Sequence, residues 1–295
     1  MNAEKRTVDV DIDGVRWAVR VAGSGPAMLL LHGFTGSGRS WDDLMAAAIA
    51  AGFAAIAPDL PGHGGTAWRA PHAAEAASRD DPAEPGNASR ATVERTADDL
   101  PLLLRAAGHE RAHVVGYSMG ARIALRLAVA RPACVARLVL EAASAGIADA
   151  RERSARCTAD EALARTLERD GIVPFVDAWE ATPVLAGEAR LAPGARASLR
   201  AIRLGHDPAG LAASLRGAGN GAMEPLHVRL GEISSPTLVI VGGDDPARDR
   251  AAAVAAGIPG ARLATIPGAG HAPHLEAPAA FNRLVLDFVS EEHVA

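Results

Sequence analysis

Short, unbroken apolar runs constrain the fold of this chain more than any other feature. AMLLLHG (Ala27–Gly33), FAAIAPDL (Phe53–Leu60), RAHVVGYS (Arg111–Ser118), VARLVLEAA (Val135–Ala143) and PTLVIVGGDD (Pro236–Asp245) are too short for helices, and the apolar run in each shows little or no polar face. A strand without a wet face has to be covered on both sides, as happens in a parallel sheet sandwiched between helices. Helix-length segments at roughly 92–107, 118–130, 246–256 and 278–290 supply the crossovers and outer layers, so the fold class is α/β. TVDVDIDGVRWAVRVAG (Thr7–Gly23) alternates in period two around Asp13-Gly14 and predicts an opening hairpin. ARLATIPG (Ala261–Gly268) supplies the last strand, and Ser40 is the expected cap of the helix after AMLLL.

Two segments interrupt the alternation. Ala67–Arg90 mixes prolines, acids and small residues and is expected to be an exposed, mobile loop. Ala148–Arg229 carries no strand pattern; its apolar residues recur at helical spacing, in stretches closed by Gly171 and Gly205. It is expected to form a helical cap inserted between the sixth and seventh strands. The chain then divides into residues 1–147, the first part of an α/β core, 148–229, the cap, and 230–295, the second part of the core. At 295 residues it is large for one domain, but a single core with an insertion accommodates it.

Composition narrows the partners. A net charge of −5 and a pI near 6.1 give no polyanion footprint, which argues against nucleic acid. The longest apolar stretch, Leu44–Ala57, is short and broken by Gly52, and the charged opening MNAEKRTVDVDIDG lacks the apolar core of a signal peptide. Cys134 and Cys157 show no paired spacing and are expected to be buried or idle thiols. These features point to no membrane and to a reducing cytoplasm.

The chemistry centres on Gly116-Tyr117-Ser118-Met119-Gly120, a G-x-S-x-G placed directly after a strand and before a helix. Glycines at its ends permit a sharp turn that projects the Ser118 hydroxyl from the carboxyl edge of a sheet. Serine is a weak base and nucleophile at neutral pH; it needs an imidazole to take its proton and a carboxylate to orient the imidazole. Acids at Asp244 and Asp245 end a strand, and His271 and His274 follow the last one, so the order Ser, Asp, His is available. The stretch LHGFTGSG suggests an anion hole in which the Phe34 amide converges with that of Met119. His63 in DLPGHGGT more plausibly shapes its loop than reacts. No third ligand accompanies His271 and His274 at suitable spacing, so no metal is expected. Arg122 stands four residues after Ser118, on the same helix face and in an otherwise apolar run. A buried guanidinium is costly unless an anion meets it: a bound substrate, or an internal acid such as Glu141.

GYSMGAR, EAASAGI followed by RERSAR, PFVDAWEATPVL, AIRLGHDPAGLAASLRGAGNGAMEPL and GAGHAPHLEAP together carry a resemblance. Over nearly its full length the chain resembles α/β-hydrolase-fold proteins. Within them it is similar to the synthases of menaquinone biosynthesis that make 2-succinyl-6-hydroxy-2,4-cyclohexadiene-1-carboxylate by expelling pyruvate. Ala121 in place of a usual glycine, and SAGI in place of Ser-Pro-Gly-Leu, loosen the match without removing a charged group. The resemblance implies Ser118, Asp245 and His271 as catalytic residues, with Asp245 chosen by the spacing Gly-x-x-Asp from Gly242. It implies an oxyanion hole from Phe34 and Met119. It also implies a tricarboxylate small-molecule substrate held by Arg122, Arg156 and Arg203, with Tyr117 and Trp179 lining the pocket. The bland alternatives are a solvated cap face for Arg156 and Arg203 and ordinary cap packing for Trp179. The implied enzyme is a cofactor-free lyase, a monomer or weak homo-oligomer, with Ser118 as base. Its rivals are a carboxylesterase or carbon–carbon bond hydrolase with Ser118 as nucleophile, and a ligand receptor that has lost turnover.

Overall fold

The protein is described by a computed structural model over residues 5–68 and 87–291. β1 (Arg6–Ile12) and β2 (Val15–Ala22) form an antiparallel hairpin closed by Asp13 and Gly14, both at positive φ, as a two-residue turn between twisted strands requires. β2 pairs antiparallel with β4 (Ala54–Pro58), and from there the sheet is parallel. It runs through β3 (Ala27–Leu31), β6 (Ala112–Tyr117), β7 (Val135–Glu141), β8 (Thr237–Gly242) and β9 (Arg262–Ile266), in the order β1-β2-β4-β3-β6-β7-β8-β9. A two-residue strand, β5 (Ala67–Trp68), also pairs with β2.

The unbroken apolar runs have a direct explanation in this sheet. Leu29, Leu31, Val114, Leu138 and Val239 face one layer, with the helices Val93–Ala106, Met119–Ala130 and Arg248–Gly257. Met28, Leu30, Val115, Val139 and Ile240 face the other, with Asp42–Ala50 and Pro278–Ser290. Alternate residues of every central strand are therefore buried on opposite sides. With few aromatics to fill these layers, Leu, Val and Ala do so, and Trp17, Trp41 and Phe281 are among the few large rings wholly buried there.

Between β7 and β8 the described chain is helical: Ala150–Asp170, Ile172–Glu180, Pro193–Leu204 and Pro208–Ala218. Asp149 and Asp207 cap two of these helices, each accepting from backbone N–H groups of the first turn. Gly171 breaks the first helix at φ 83°. Ala164, Leu167, Phe175, Val176, Leu211 and Leu215 give the segment a small core of its own. Phe34 packs against both this cluster and the sheet's core.

Three expectations change. Ser40 does not cap the following helix: Ser37 is the N-cap of a preceding 3₁₀ turn, and Ser40 returns the favour by accepting from the Ser37 N–H. The helical insertion follows the seventh strand rather than the sixth, because β5 adds one. Of the segment expected to be a mobile loop, Ala67–Trp68 is strand and Asn87–Arg90 is a helical turn; residues 69–86 lie outside the described residues. No described helix is long and apolar enough to cross a membrane. Cys134 is half-buried and Cys157 exposed, both free.

Candidate active site

The parallel strands end on one edge, and the site is built there. Ser118 follows β6 with φ 50° and ψ −103°, a region that non-glycine residues avoid. The turn exists because Gly116 and Gly120 have no side chains: a Cβ on Gly116 would collide with the Gly120 carbonyl, and one on Gly120 with that of Leu31. The Ser118 N–H donates to the Glu141 carbonyl at 2.9 Å, fastening the turn to β7.

His271 Nε2 lies 3.1 Å from Ser118 Oγ. Its Nδ1 lies 3.1 and 3.2 Å from the two oxygens of Asp245. An ionised Asp245 only accepts, so Nδ1 carries the proton and Nε2 is left to accept from the serine. Asp245 is 2% exposed. Burial raises its pKa, but the hydrogen bond and charge of His271 outweigh this, so the carboxyl titrates below its usual range. Asp244 points to the surface, its side chain 57% exposed. Glu276 stabilises the loop carrying His271 from beneath, accepting from Gly270 N–H at 2.8 Å and Ala272 N–H at 3.2 Å.

Ser118 opens onto a cavity of about 560 Å³ between the sheet edge and the helical segment. Phe34 and Met119 line it beside the serine. Gly33 lets the Phe34 loop come close, since a Cβ there would sit 2.6 Å from the Tyr117 ring and 3.5 Å from Ser118 Cβ. Four arginines, Arg122, Arg156, Arg203 and Arg250, line the cavity against two carboxylates, Asp160 and Glu188, so its wall is net cationic.

The arginines differ. Arg122 is 8% exposed; its Nη1 donates to the Ala218 carbonyl at 2.7 Å and lies 3.9 Å from Met223 Sδ. Among the described residues no carboxylate comes within ion-pair distance of it. Glu141, the internal acid it could have met, is taken instead by His274, whose backbone N–H and Nδ1 lie 2.8 and 2.9 Å from Glu141 Oε1. Burial, and then the neighbouring charge of Arg156, lower the Arg122 pKa to about 10, so it remains a cation at neutral pH. Arg156 is paired with Asp160 at 2.8 Å but stays partly exposed to the cavity. Arg203 lines the cavity, as the resemblance implies, but it does so already paired. It is buried, so it is no solvated face, and Glu188 at 2.7 Å and Glu180 at 3.1 Å already meet its charge.

Tyr117 and Trp179 both line the cavity. The Tyr117 ring lies 5.5 Å from that of His271 and 4.6 Å from that of His274. Trp179 stands edge-on to Phe34 at 5.3 Å, with its Nε1 buried and without a hydrogen-bond partner among the described residues. Among the described residues no group of three potential ligands could hold a metal ion. Sequence reasoning passed over Glu276, Arg250 and His206. An acid five residues after His271 was a visible cue for Glu276; nothing local marked the other two.

A family model described as "Alpha/beta hydrolase family" matches residues 28–284. A Bacillus subtilis (strain 168) protein provisionally named 2-succinyl-6-hydroxy-2,4-cyclohexadiene-1-carboxylate synthase is 34% identical, covering 96% of this chain and 98% of its own. The synthase of that name from Enterobacter sp. (strain 638) is 29% identical over 86% of this chain and 88% of its own. Among solved structures, MenH from S. aureus superposes with a TM-score of 0.80 at 28% identity, covering 92% of this chain and 97% of that one.

A buried guanidinium with no carboxylate partner weakens the fold that holds it. Arg122→Met should leave the free energy of urea unfolding unchanged or raise it by about 1–3 kcal/mol; a loss of stability would show that the charge is already satisfied. The pH dependence follows from four histidines that burial holds below their usual range, His32 and His113 at about 4 and His63 and His206 in direction. The unfolded chain takes up their protons below about pH 6.5 while the native state does not, so stability falls from pH 6.5 towards 4. His32 alone forfeits about 2 kcal/mol by pH 5. Asp99, raised to about 6 by burial, offsets part of this. Unfolding midpoints measured from pH 7 to 4.5 should decline steadily; a flat profile would contradict neutral buried imidazoles.

Proposed function

The chain belongs to the alpha/beta hydrolase family, and from that premise we propose that it is a carbon–oxygen lyase acting on an enolpyruvyl-bearing tricarboxylate. The reaction converts 2-succinyl-5-enolpyruvyl-6-hydroxy-3-cyclohexene-1-carboxylate to 2-succinyl-6-hydroxy-2,4-cyclohexadiene-1-carboxylate and pyruvate. Residues 148–229 act as a cap over a core made of 1–147 and 230–295. The observation that carries this reading is Arg122, a buried cation in the cavity wall one helical turn from Ser118 and without a paired carboxylate among the described residues. The likeness to the two synthases and to MenH supports it. An ester hydrolase has no need of such a charge; a trianion does.

In this mechanism the hydroxyl proton of Ser118 passes to His271 Nε2 while Ser118 Oγ takes a ring proton from the substrate. The electrons of that C–H bond shift into the ring, the C–O bond to the enolpyruvyl group breaks, and the leaving enolate takes up a proton to become pyruvate. Asp245 stabilises the imidazolium formed on the way. The amides of Phe34 and Met119, with Arg122, stabilise the spreading negative charge. Arg156 adds an exposed carboxylate contact. Arg203, oriented by Glu180 and Glu188, adds a further cation to the cavity wall that meets the substrate's carboxylates.

Two variants test the reading in a coupled assay that supplies the substrate enzymatically and follows pyruvate. Ser118→Ala should lower turnover by at least about 10³-fold; retained turnover would remove Ser118 as base. Arg122→Ala should raise KM and lower kcat, together losing about 10²-fold or more in kcat/KM, while hydrolysis of a neutral aryl ester changes little. Equal losses on both substrates would contradict a carboxylate-binding role.

A further inference from the structure

Thr35 follows the oxyanion donor Phe34 and is β-branched, yet it sits at φ 64° in the left-handed region. Two imidazoles hold its peptide groups. The Thr35 N–H donates to His63 Nε2 at 3.3 Å, and the Thr35 carbonyl accepts from His206 Nε2 at 2.9 Å. The second nitrogen of each ring is also used: His206 Nδ1 accepts from Gly64 N–H at 2.9 Å, and His63 Nδ1 donates to the Pro61 carbonyl at 3.2 Å. His32 completes the cluster, accepting from Leu60 N–H and donating to the Gly33 carbonyl. Each ring accepts through one nitrogen and donates through the other, which only the neutral form can do. The rings stand edge to face, His32 to His63 at 5.0 Å and His63 to His206 at 5.3 Å, all three nearly inaccessible to solvent.

These three histidines come from different parts of the chain. His32 and His63 belong to loops at the sheet edge, whereas His206 joins the helices Pro193–Leu204 and Pro208–Ala218 of the inserted segment. The other charged groups acting on it are Asp59, which favours protonation, and Arg203, which opposes it. Protonation at Nδ1 would turn its acceptor into a donor facing the Gly64 N–H.

We propose that His206 is a positioning residue for the oxyanion hole: it locks the left-handed turn at Thr35 and so aims the Phe34 amide, making that aim depend on the helical segment being seated. The proposal rests on the assignment of Ser118 and Phe34 made above. It explains why a β-branched residue is tolerated in a conformation that favours glycine: both its peptide groups are claimed by side chains that offer no alternative geometry. It also gives the inserted segment a part in catalysis besides covering the cavity.

A fluorophosphonate probe tests this without the natural substrate. Ser118 Oγ attacks phosphorus, fluoride leaves, the serine proton passes to His271, and the developing charge on the phosphoryl oxygen demands the same amides. His206→Phe, which keeps a ring but loses both hydrogen bonds, should slow the labelling of folded enzyme by about 10–100-fold. His206→Gln, whose amide can both accept and donate, should stay within about 5-fold of wild type. Affinity for a non-reacting dicarboxylate should be unchanged in both. Labelling of the phenylalanine variant at the wild-type rate would overturn the proposal, as would equal losses in the two variants. Failure of wild-type enzyme to release pyruvate would count against the proposed reaction and not against His206, because labelling does not involve that substrate.

Discussion

A buried guanidinium that no carboxylate among the described residues pairs with is the constraint around which the cavity is arranged. Arg122 is set on the first turn of Met119–Ala130, with its backbone N–H donating to the Ser118 carbonyl, so its distance from the serine is fixed by helix geometry. Among the described residues its guanidinium has one short polar contact, the carbonyl of Ala218, the last residue of Pro208–Ala218. A helix carboxyl terminus carries partial negative charge and tempers the cost of the buried cation without cancelling it. The remaining demand for an anion faces the cavity. Glu141 could have ended that demand, and the ring and backbone of His274 occupy it instead.

The hydrogen-bonded Ser118, His271 and Asp245 and the strained backbone positions coincide at this edge. Ser118, Thr35 and Ala142 are three of the four described non-glycine residues at positive φ, and all three line the cavity. Such conformations persist where surrounding structure over-determines them. At Ser118 the close approach of Gly116 and Gly120 does so, and at Thr35 two imidazoles do. The inserted helices contribute at several points: Phe34 packs into their core, His206 reaches the Thr35 carbonyl, and Arg190 meets Glu276 at 3.0 Å beneath the His271 loop.

Much of this could be read from residues alone, for identifiable reasons. The parallel sheet was legible because strands buried on both faces leave unbroken apolar runs, and the hairpin because Asp13-Gly14 suits a two-residue turn. Ser118, Asp245 and His271 were legible because each ends or follows a strand, and strand ends converge in such a sheet. Helix periodicity made Arg122 a cavity candidate but could not say whether Glu141 would reach it. The ion pairs of Arg203 were not legible, because its partners Glu180 and Glu188 come from other elements and no local pattern pairs them with it. His206 lay hidden for the same reason: both its hydrogen bonds run to loops more than 140 residues away.

If Arg122 holds a negatively charged guest, calorimetric titration will register it. The titrant would be an aromatic dicarboxylate bearing a succinyl arm beside its ring carboxylate, used with wild-type protein and with Arg122→Met. Binding to wild type should weaken as ionic strength rises, and removing the guanidinium should cost at least about 10-fold in affinity. Equal affinities for the two proteins, insensitive to salt, would contradict it.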